Sequence, residues 1–259
     1  SEDLAITWDK NGNRTRLEDD NGNQTDYDFD ACDRLEQITY EDGETETFGY
    51  DDAHNVTSYT DQNGTSVANT YNAVDRLTSR AITLATGVYG PSAESFTHDA
   101  LGRLTMAQNS GTGRPTIRVE RTYDTLGRIL SETQKMTSWT DRTMSYVYDG
   151  VGNVTRKTYP SSFRLDITSD ALGRWTKLED ASSNDIATWT WMGPGRRLEE
   201  LEYLNGTKVV PGYDGFRRMT DLDHETSTST VFAGFDYAFD KVGNKLYEER
   251  THDSGRGEV

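Results

Sequence analysis

The sequence predicts an all-β protein, a wound antiparallel strip of about eleven β-hairpin repeats, from three observations. An eight-residue motif recurs eleven times in the 259 residues, starting at positions 8, 29, 50, 71, 98, 123, 148, 169, 191, 213 and 239. The steps are 21, 21, 21, 27, 25, 25, 21, 22, 22 and 26 residues, so insertions fall between motifs and the motif keeps its length. A second turn signal lies between motifs: Asn21-Gly22, Asp42-Gly43, Asn63-Gly64 and Asn205-Gly206 are preferred dipeptides of two-residue hairpins. Composition agrees, since 33% hydrophobic residues are too few for a thick core, while 14 Tyr, 8 Phe and 5 Trp suit a thin sheet with aromatic contacts.

Each motif column has a physical role. Tyr148-Asp149-Gly150-Val151-Gly152-Asn153-Val154-Thr155 represents the unit. The second position is Asp in nine copies and Asn72 in one; such a side chain accepts a bond from the backbone two residues on, and only Met192 breaks the rule. The fifth is Gly in seven copies, Asp33 and Asp75 in two and His54 in one, residue types that tolerate positive φ; Arg217 is the exception. Asp9 and Gly12, Asp99 and Gly102, Asp124 and Gly127, Asp149 and Gly152, Asp170 and Gly173, and Asp240 and Gly243 are therefore assigned to turns closed by a left-handed residue. The sixth position is Arg or Asn throughout, and the seventh is apolar in eight of eleven copies, where strands resume. Two residues before the motif a ladder of Ile6, Tyr27, Phe48, Phe96, Tyr146, Ile167, Trp189 and Tyr237 shares a face with the motif aromatic, and these rings are expected to stack.

A 21-residue unit minus about seven turn residues leaves two strands of roughly seven, about 23 Å each. Eleven units give nearly twenty-two strands, and a sheet of more than roughly ten must curl, split or wind. Residues 1–250 read as one repeat array with no Pro/Gly/Ser-rich linker, and residues 251–259 as a polar, mobile tail.

Net charge is -17, from 44 acidic and 27 basic side chains, which argues against a nucleic-acid partner. The lone Cys32 excludes an intrachain disulfide and a cysteine-based zinc cluster, and leaves the compartment open. No run is long and apolar enough for a membrane span, and Ser1-Glu2-Asp3-Leu4-Ala5-Ile6 is not the start of a signal peptide, so any targeting segment is expected outside this chain.

Tyr123-Asp124-Thr125-Leu126-Gly127-Arg128, Tyr148-Asp149-Gly150-Val151-Gly152-Asn153 and His98-Asp99-Ala100-Leu101-Gly102-Arg103-Leu104-Thr105 resemble the RHS, or YD-repeat, family, and the match runs over roughly residues 1–250. In that family hairpins spiral into a hollow β-shell, in several cases around a C-terminal toxin. The resemblance implies a non-catalytic piece of shell wall from a larger, bacterial, surface or secreted protein, extracellular or at the cell surface. The alternative it implies is a glycan- or protein-binding module of a cell-surface adhesin. Shell-forming relatives carry more repeats and an Asp-Pro-x-Gly core; no Asp-Pro pair occurs here. The segment is then too short to close a compartment, and its open strand edges invite self-association as well as pairing with the rest of a parent chain.

Candidate sites are few. Trp175, Trp189 and Trp191 form the best stacking platform for a glycan, because residues two apart on a strand share a face, although Trp189 and Trp191 also fill packing columns. Trp139 lies outside the motif columns and is the aromatic least explained by the repeat. Asp9-Lys10-Asn11-Gly12 with Glu18 resembles part of a calcium loop, but position one of that loop would be Thr7, and no metal or cofactor is expected. His54, His98, His224 and His252 are scattered, with no zinc-protease or serine-hydrolase motif, so no enzyme is expected. Six Asn-x-Thr sequons, at Asn13, Asn23, Asn55, Asn63, Asn153 and Asn205, follow from the repeat columns. The longer units, residues 81–95 and 131–144, are where loops with added function are expected.

Overall fold

The computed structural model describes residues 4–252. They hold twenty-two strands and no helix, from Ala5–Trp8 to Lys245–His252. By internal contacts the chain has two compact units, Ser1–Arg142 and Thr143–Val259. In the first, the strands from Ala5–Trp8 to Ile129–Met136 each pair antiparallel with the next. In the second, the strands from Arg142–Tyr148 to Lys245–His252 do the same. Thr251 and His252, expected in the tail, complete the last strand; residues 253–259 of that tail lie outside the described residues.

The two-residue period separates the faces of each strand. Phe48, Tyr59, Val67 and Ile82 oppose one another on four successive strands, and Trp189, Leu201 and Val209 do so on three of the second unit. The other face carries polar rows such as Arg16, Asp26 and Thr39, with an Arg16–Asp26 ion pair of 2.5 Å. Among the described residues only Ile167 (5% exposed), Ala187 (3% exposed) and Pro211 are buried apolar side chains. Cohesion must therefore come mainly from contacts between neighbouring strands and turns.

The connections between motifs differ from the two-residue turns expected at Asn-Gly and Asp-Gly. A two-residue turn of that kind needs positive φ at both central residues. Here only the glycine is left-handed: Gly22 has φ 85°, Gly43 84°, Gly64 81° and Gly206 77°. Gly22 N donates to Asp19 O (3.0 Å) and Asp19 N to Asn23 O (3.1 Å), which is the same turn that Asp9, Gly12 and Asn13 build at the motif. Both ends of a hairpin thus use one turn design, a three-residue loop closed by one left-handed residue. Serine fills that position at Ser162 (φ 65°), Ser183 (φ 63°) and Ser229 (φ 59°).

Every motif hairpin also carries a β-bulge beside its first residue, for instance between Thr122 and Tyr123 and between Ala238 and Phe239. The longer units are resolved in two ways. Residues 84–92 form an irregular connection between the strands Leu77–Thr83 and Ala93–His98. The 131–144 insertion is instead mostly absorbed into longer strands, Ile129–Met136 and Arg142–Tyr148.

Candidate functional site

The motif residues assemble into a repeating set of contacts that ties each turn to itself and to the next hairpin. Asp124 shows the turn: Oδ1 accepts from Leu126 N (2.9 Å) and Arg128 N (2.9 Å), while Oδ2 accepts from Arg128 Nε (2.6 Å). At Asp149 the amide of Asn153 replaces the guanidinium, with Nδ2 at 2.8 Å from Oδ2. In all nine copies with Asp at the second position, the sixth-column Arg or Asn presents an N–H to the second carboxylate oxygen. All nine motif aspartates are held below the ordinary carboxylate range. At Asp149 the Asn153 side-chain bond is the largest cause; at Asp124 desolvation is largest and opposes the shift, but the bonds from Arg128 and Leu126 and the Arg128 charge together outweigh it.

The left-handed position falls where expected in ten of eleven motifs, including Arg217 at φ 70° despite its side chain. The exception is the Trp191 copy, in which Gly193 (φ 55°) rather than Gly195 takes the left-handed conformation. Met192 offers no side-chain acceptor to the turn, and the Met192-Gly193-Pro194-Gly195 segment adopts another path.

Two further contacts cross from one hairpin to the next. The arginine reaches forward: Arg103 Nη1 donates to Asp124 O (2.9 Å) with its guanidinium 4.7 Å from the Tyr123 ring centre, and Arg34 does the same to Asp51 O (2.9 Å) and Tyr50 (4.6 Å). The aromatic reaches back: the phenols of Tyr50, Tyr71 and Tyr123 donate to the carbonyls of Leu35, Val56 and Leu104 at 2.8, 2.9 and 2.8 Å. Trp191 Nε1 does likewise to Trp175 O at 2.7 Å. Motif rings therefore lie mostly under guanidinium groups rather than stacking on one another as expected; Phe48 and Tyr59, 5.2 Å apart, are a cross-strand exception. A third contact was written in the eighth column, Thr in seven copies. The bulge turns a carbonyl out of the ladder, and Thr78 and Thr105 Oγ1 donate to those of Thr70 and Thr97, both at 3.0 Å.

The three tryptophans of the second unit come together. Trp175 and Trp189 meet edge to face, 5.8 Å apart at 79°. Arg174 lies 5.5 Å from the Trp191 ring centre. A shallow depression of about 240 Å³ is lined by Gly173, Arg174, Trp175, Trp189, Trp191 and Arg196. The two arginines were not singled out in the sequence; the Arg column and the missing Asp at Met192 were the available signals. Trp139 does not line this depression: it lies in the first unit, in the turn after Ile129–Met136, and is 65% exposed.

The residues of the calcium-like reading have other partners. Asp9 Oδ1 accepts from Asn11 N (2.9 Å) and Asn13 N (2.8 Å), Oδ2 from Asn13 Nδ2 (3.0 Å), and Glu18 from Gln24 Nε2 (2.9 Å). Among the described residues no three His, Cys, Asp or Glu side chains are grouped to hold a metal ion. His54 takes the left-handed turn position and His224 packs on Phe232 and Phe235. Cys32 is exposed in a turn.

Comparison with known proteins adds the following. Residues 8–45 match the family described as RHS Repeat. By sequence, no curated protein matches. By structure, the chain is similar to TcdB2-TccC3-TEV, with a TM-score of 0.70 and 14% identity over 97% of this chain and 14% of that one. TcdB2-TccC3 without its hypervariable C-terminal region gives 0.70 and 15%, over 96% of this chain and 14% of that one. The Photorhabdus luminescens Tc holotoxin pore gives 0.62 and 15%, over 97% and 15%. These likenesses show the fold, and the chain spans about a seventh of the length of the structures it matches.

Proposed function

From the premise that this chain is built of RHS repeats, by motif and by fold, we propose that it is a non-catalytic structural module, a stretch of β-shell wall from a larger secreted or surface-exposed bacterial protein whose shell contains or displays other segments. The observation that carries this reading is the repetition of one contact set, forward arginine and backward tyrosine, from hairpin to hairpin. Such residues are spent on holding neighbours together, which suits a wall. The small share of the matched structures that the chain spans supports a larger parent chain as its main partner. Electron microscopy of the complete parent protein tests the proposal: this segment is expected to line a closed cavity, and a parent consisting of little beyond this segment would overturn it. Association through free strand edges is a second expectation for the isolated segment. Light scattering that finds a monomer at high concentration would count against it. Glycan binding has narrower support, the tryptophan depression of a single repeat.

A further inference from the structure

We propose that the tryptophan corner of the second unit binds a single carboxylate-bearing sugar, of the uronate class, with Arg196 receiving the carboxylate. This rests on the reading of the indoles as a sugar platform and goes beyond the wall function.

The Trp191 copy of the repeat lacks its built-in carboxylate. In the sixth column Arg34, Arg103, Arg128, Arg174 and Arg218 each bond the aspartate four residues earlier, at 2.6 to 2.7 Å. Arg196 occupies the same column, but its aspartate is replaced by Met192. Arg196 is exposed and makes no hydrogen bond or ion pair among the described residues. A guanidinium whose built-in carboxylate has been removed offers its two parallel N–H groups to a carboxylate from elsewhere.

This cation stands at the tryptophan corner and not on an open strand. It lines the same depression as Trp175, which is 41% exposed, and Trp189. The corner is held in place: Trp191 Nε1 is tied to Trp175 O at 2.7 Å, and Arg174 Nη1 bonds the carbonyls of Gly193 (2.7 Å) and Gly195 (2.5 Å) in the divergent turn. A sugar ring presents an apolar C–H face to an indole and, in a uronate, a carboxylate at its edge, so stacking and ion pairing can be met by one residue. About 240 Å³ is below the roughly 300–1,000 Å³ of pockets for drug-sized ligands, which suits one sugar rather than a long chain. The net charge of -17 points the same way, because it repels a polyanion far more strongly than an otherwise neutral glycan with one carboxylate.

The test titrates the full chain with methyl glucuronide and with methyl glucoside, its neutral counterpart, following tryptophan fluorescence and saturation-transfer NMR. The glucuronide is expected to bind at least about tenfold more tightly, and Arg196→Gln to abolish the difference. Trp175→Leu is expected to weaken both ligands, and circular dichroism checks that it folds; Arg196→Gln, on an exposed turn, provides the independent arm. Equal affinity for the two sugars would overturn the role of Arg196 and leave stacking intact. Binding of neither would overturn stacking too, and a preference that survives Arg196→Gln would move the receptor elsewhere.

Discussion

Removing a single phenol oxygen tests how the hairpins are joined. Tyr50, Tyr71 and Tyr123 each donate one neutral hydrogen bond of 2.8 to 2.9 Å to a carbonyl of the preceding hairpin. Phenylalanine fills the same space, and Phe29 and Phe239 already occupy this column, so Tyr→Phe changes little besides the bond. Tyr50→Phe and Tyr123→Phe should each cost about 1 kcal/mol because a partly buried carbonyl loses its donor, and Tyr71→Phe should cost less, since Asn69 Nδ2 also donates to Val56 O at 2.8 Å. Tyr123 is remote from the other two, whereas Val56, which accepts from Tyr71, is the ladder partner of Tyr50, so the triple variant should lose about 2–3 kcal/mol. Tyr213 is the internal control, since its phenol makes no hydrogen bond among the described residues, and Tyr213→Phe should cost less than about 0.5 kcal/mol. Urea unfolding by tryptophan fluorescence measures the total. Amide exchange on the preceding hairpin localises it, because a repeat array need not melt as one unit. If Tyr50→Phe, Tyr71→Phe and Tyr123→Phe fall within about 0.3 kcal/mol of Tyr213→Phe, the bonds do not hold the hairpins together.

Gly127, at φ 87°, should lose about 1–2 kcal/mol when replaced by Val, whose branched Cβ is penalised there. Gly127→Asp should lose less, since Asp33 and Asp75 hold φ 58° and 59° in the same column; equal melting of Gly127→Val and wild type would refute the argument. Thr105→Val removes the 3.0 Å bond to Thr97 O and should cost about 0.5–1 kcal/mol in urea unfolding, and a neutral result would mean that the bulge carbonyl needs no partner. The pH dependence has a definite sign. The motif carboxyls have folded pKa values below the unfolded one of about 3.9, so their contribution is complete above that value and is lost as pH falls through the depressed folded values. Asp223, pushed up by desolvation and then by Asp221, Asp236 and Glu225, works in the opposite sense but is one group against nine. The urea midpoint should stay level from about pH 7 to 5 and drop below about pH 4; a rise on acidification would contradict the turn geometry.

The hairpin plan was legible because turn chemistry is local. Asp at the second position and Gly, Asp or His at the fifth imply a capped, left-handed turn without knowledge of any distant residue. The same rule failed where chemistry was ambiguous: Asn21-Gly22 looks like a two-residue turn unless Asp19 is counted as its cap, and Ser162, Ser183 and Ser229 give little sign that they are left-handed. Arg217 gives none, yet its turn closes through Asp214 and Arg218. The forward arginine and backward tyrosine were invisible for a different reason. They depend on which strand lies beside which and on side-chain reach, and a column of Arg or Tyr does not say whether its partner is 4 residues away or 21, as Arg103 has both. The tryptophan corner was half legible: spacing put Trp189 and Trp191 on one face, but Trp175 and Arg196 join them only through the register of three strands.

Where both occur, the two reaches across a junction point in opposite directions along the chain, and this bears on how the protein forms as it is synthesised. When the Asp99 hairpin leaves the ribosome, Arg103 can close its own turn but its second bond must wait for Asp124, still to be translated. Tyr123, by contrast, finds the carbonyl of Leu104 already in place when it arrives. A finished hairpin with Arg in the sixth column therefore presents a guanidinium and a carbonyl as a landing site for the next. Assembly then runs in the order of translation, with loops of about 20 residues to close at each step rather than hundreds, which keeps the entropic cost of each addition small.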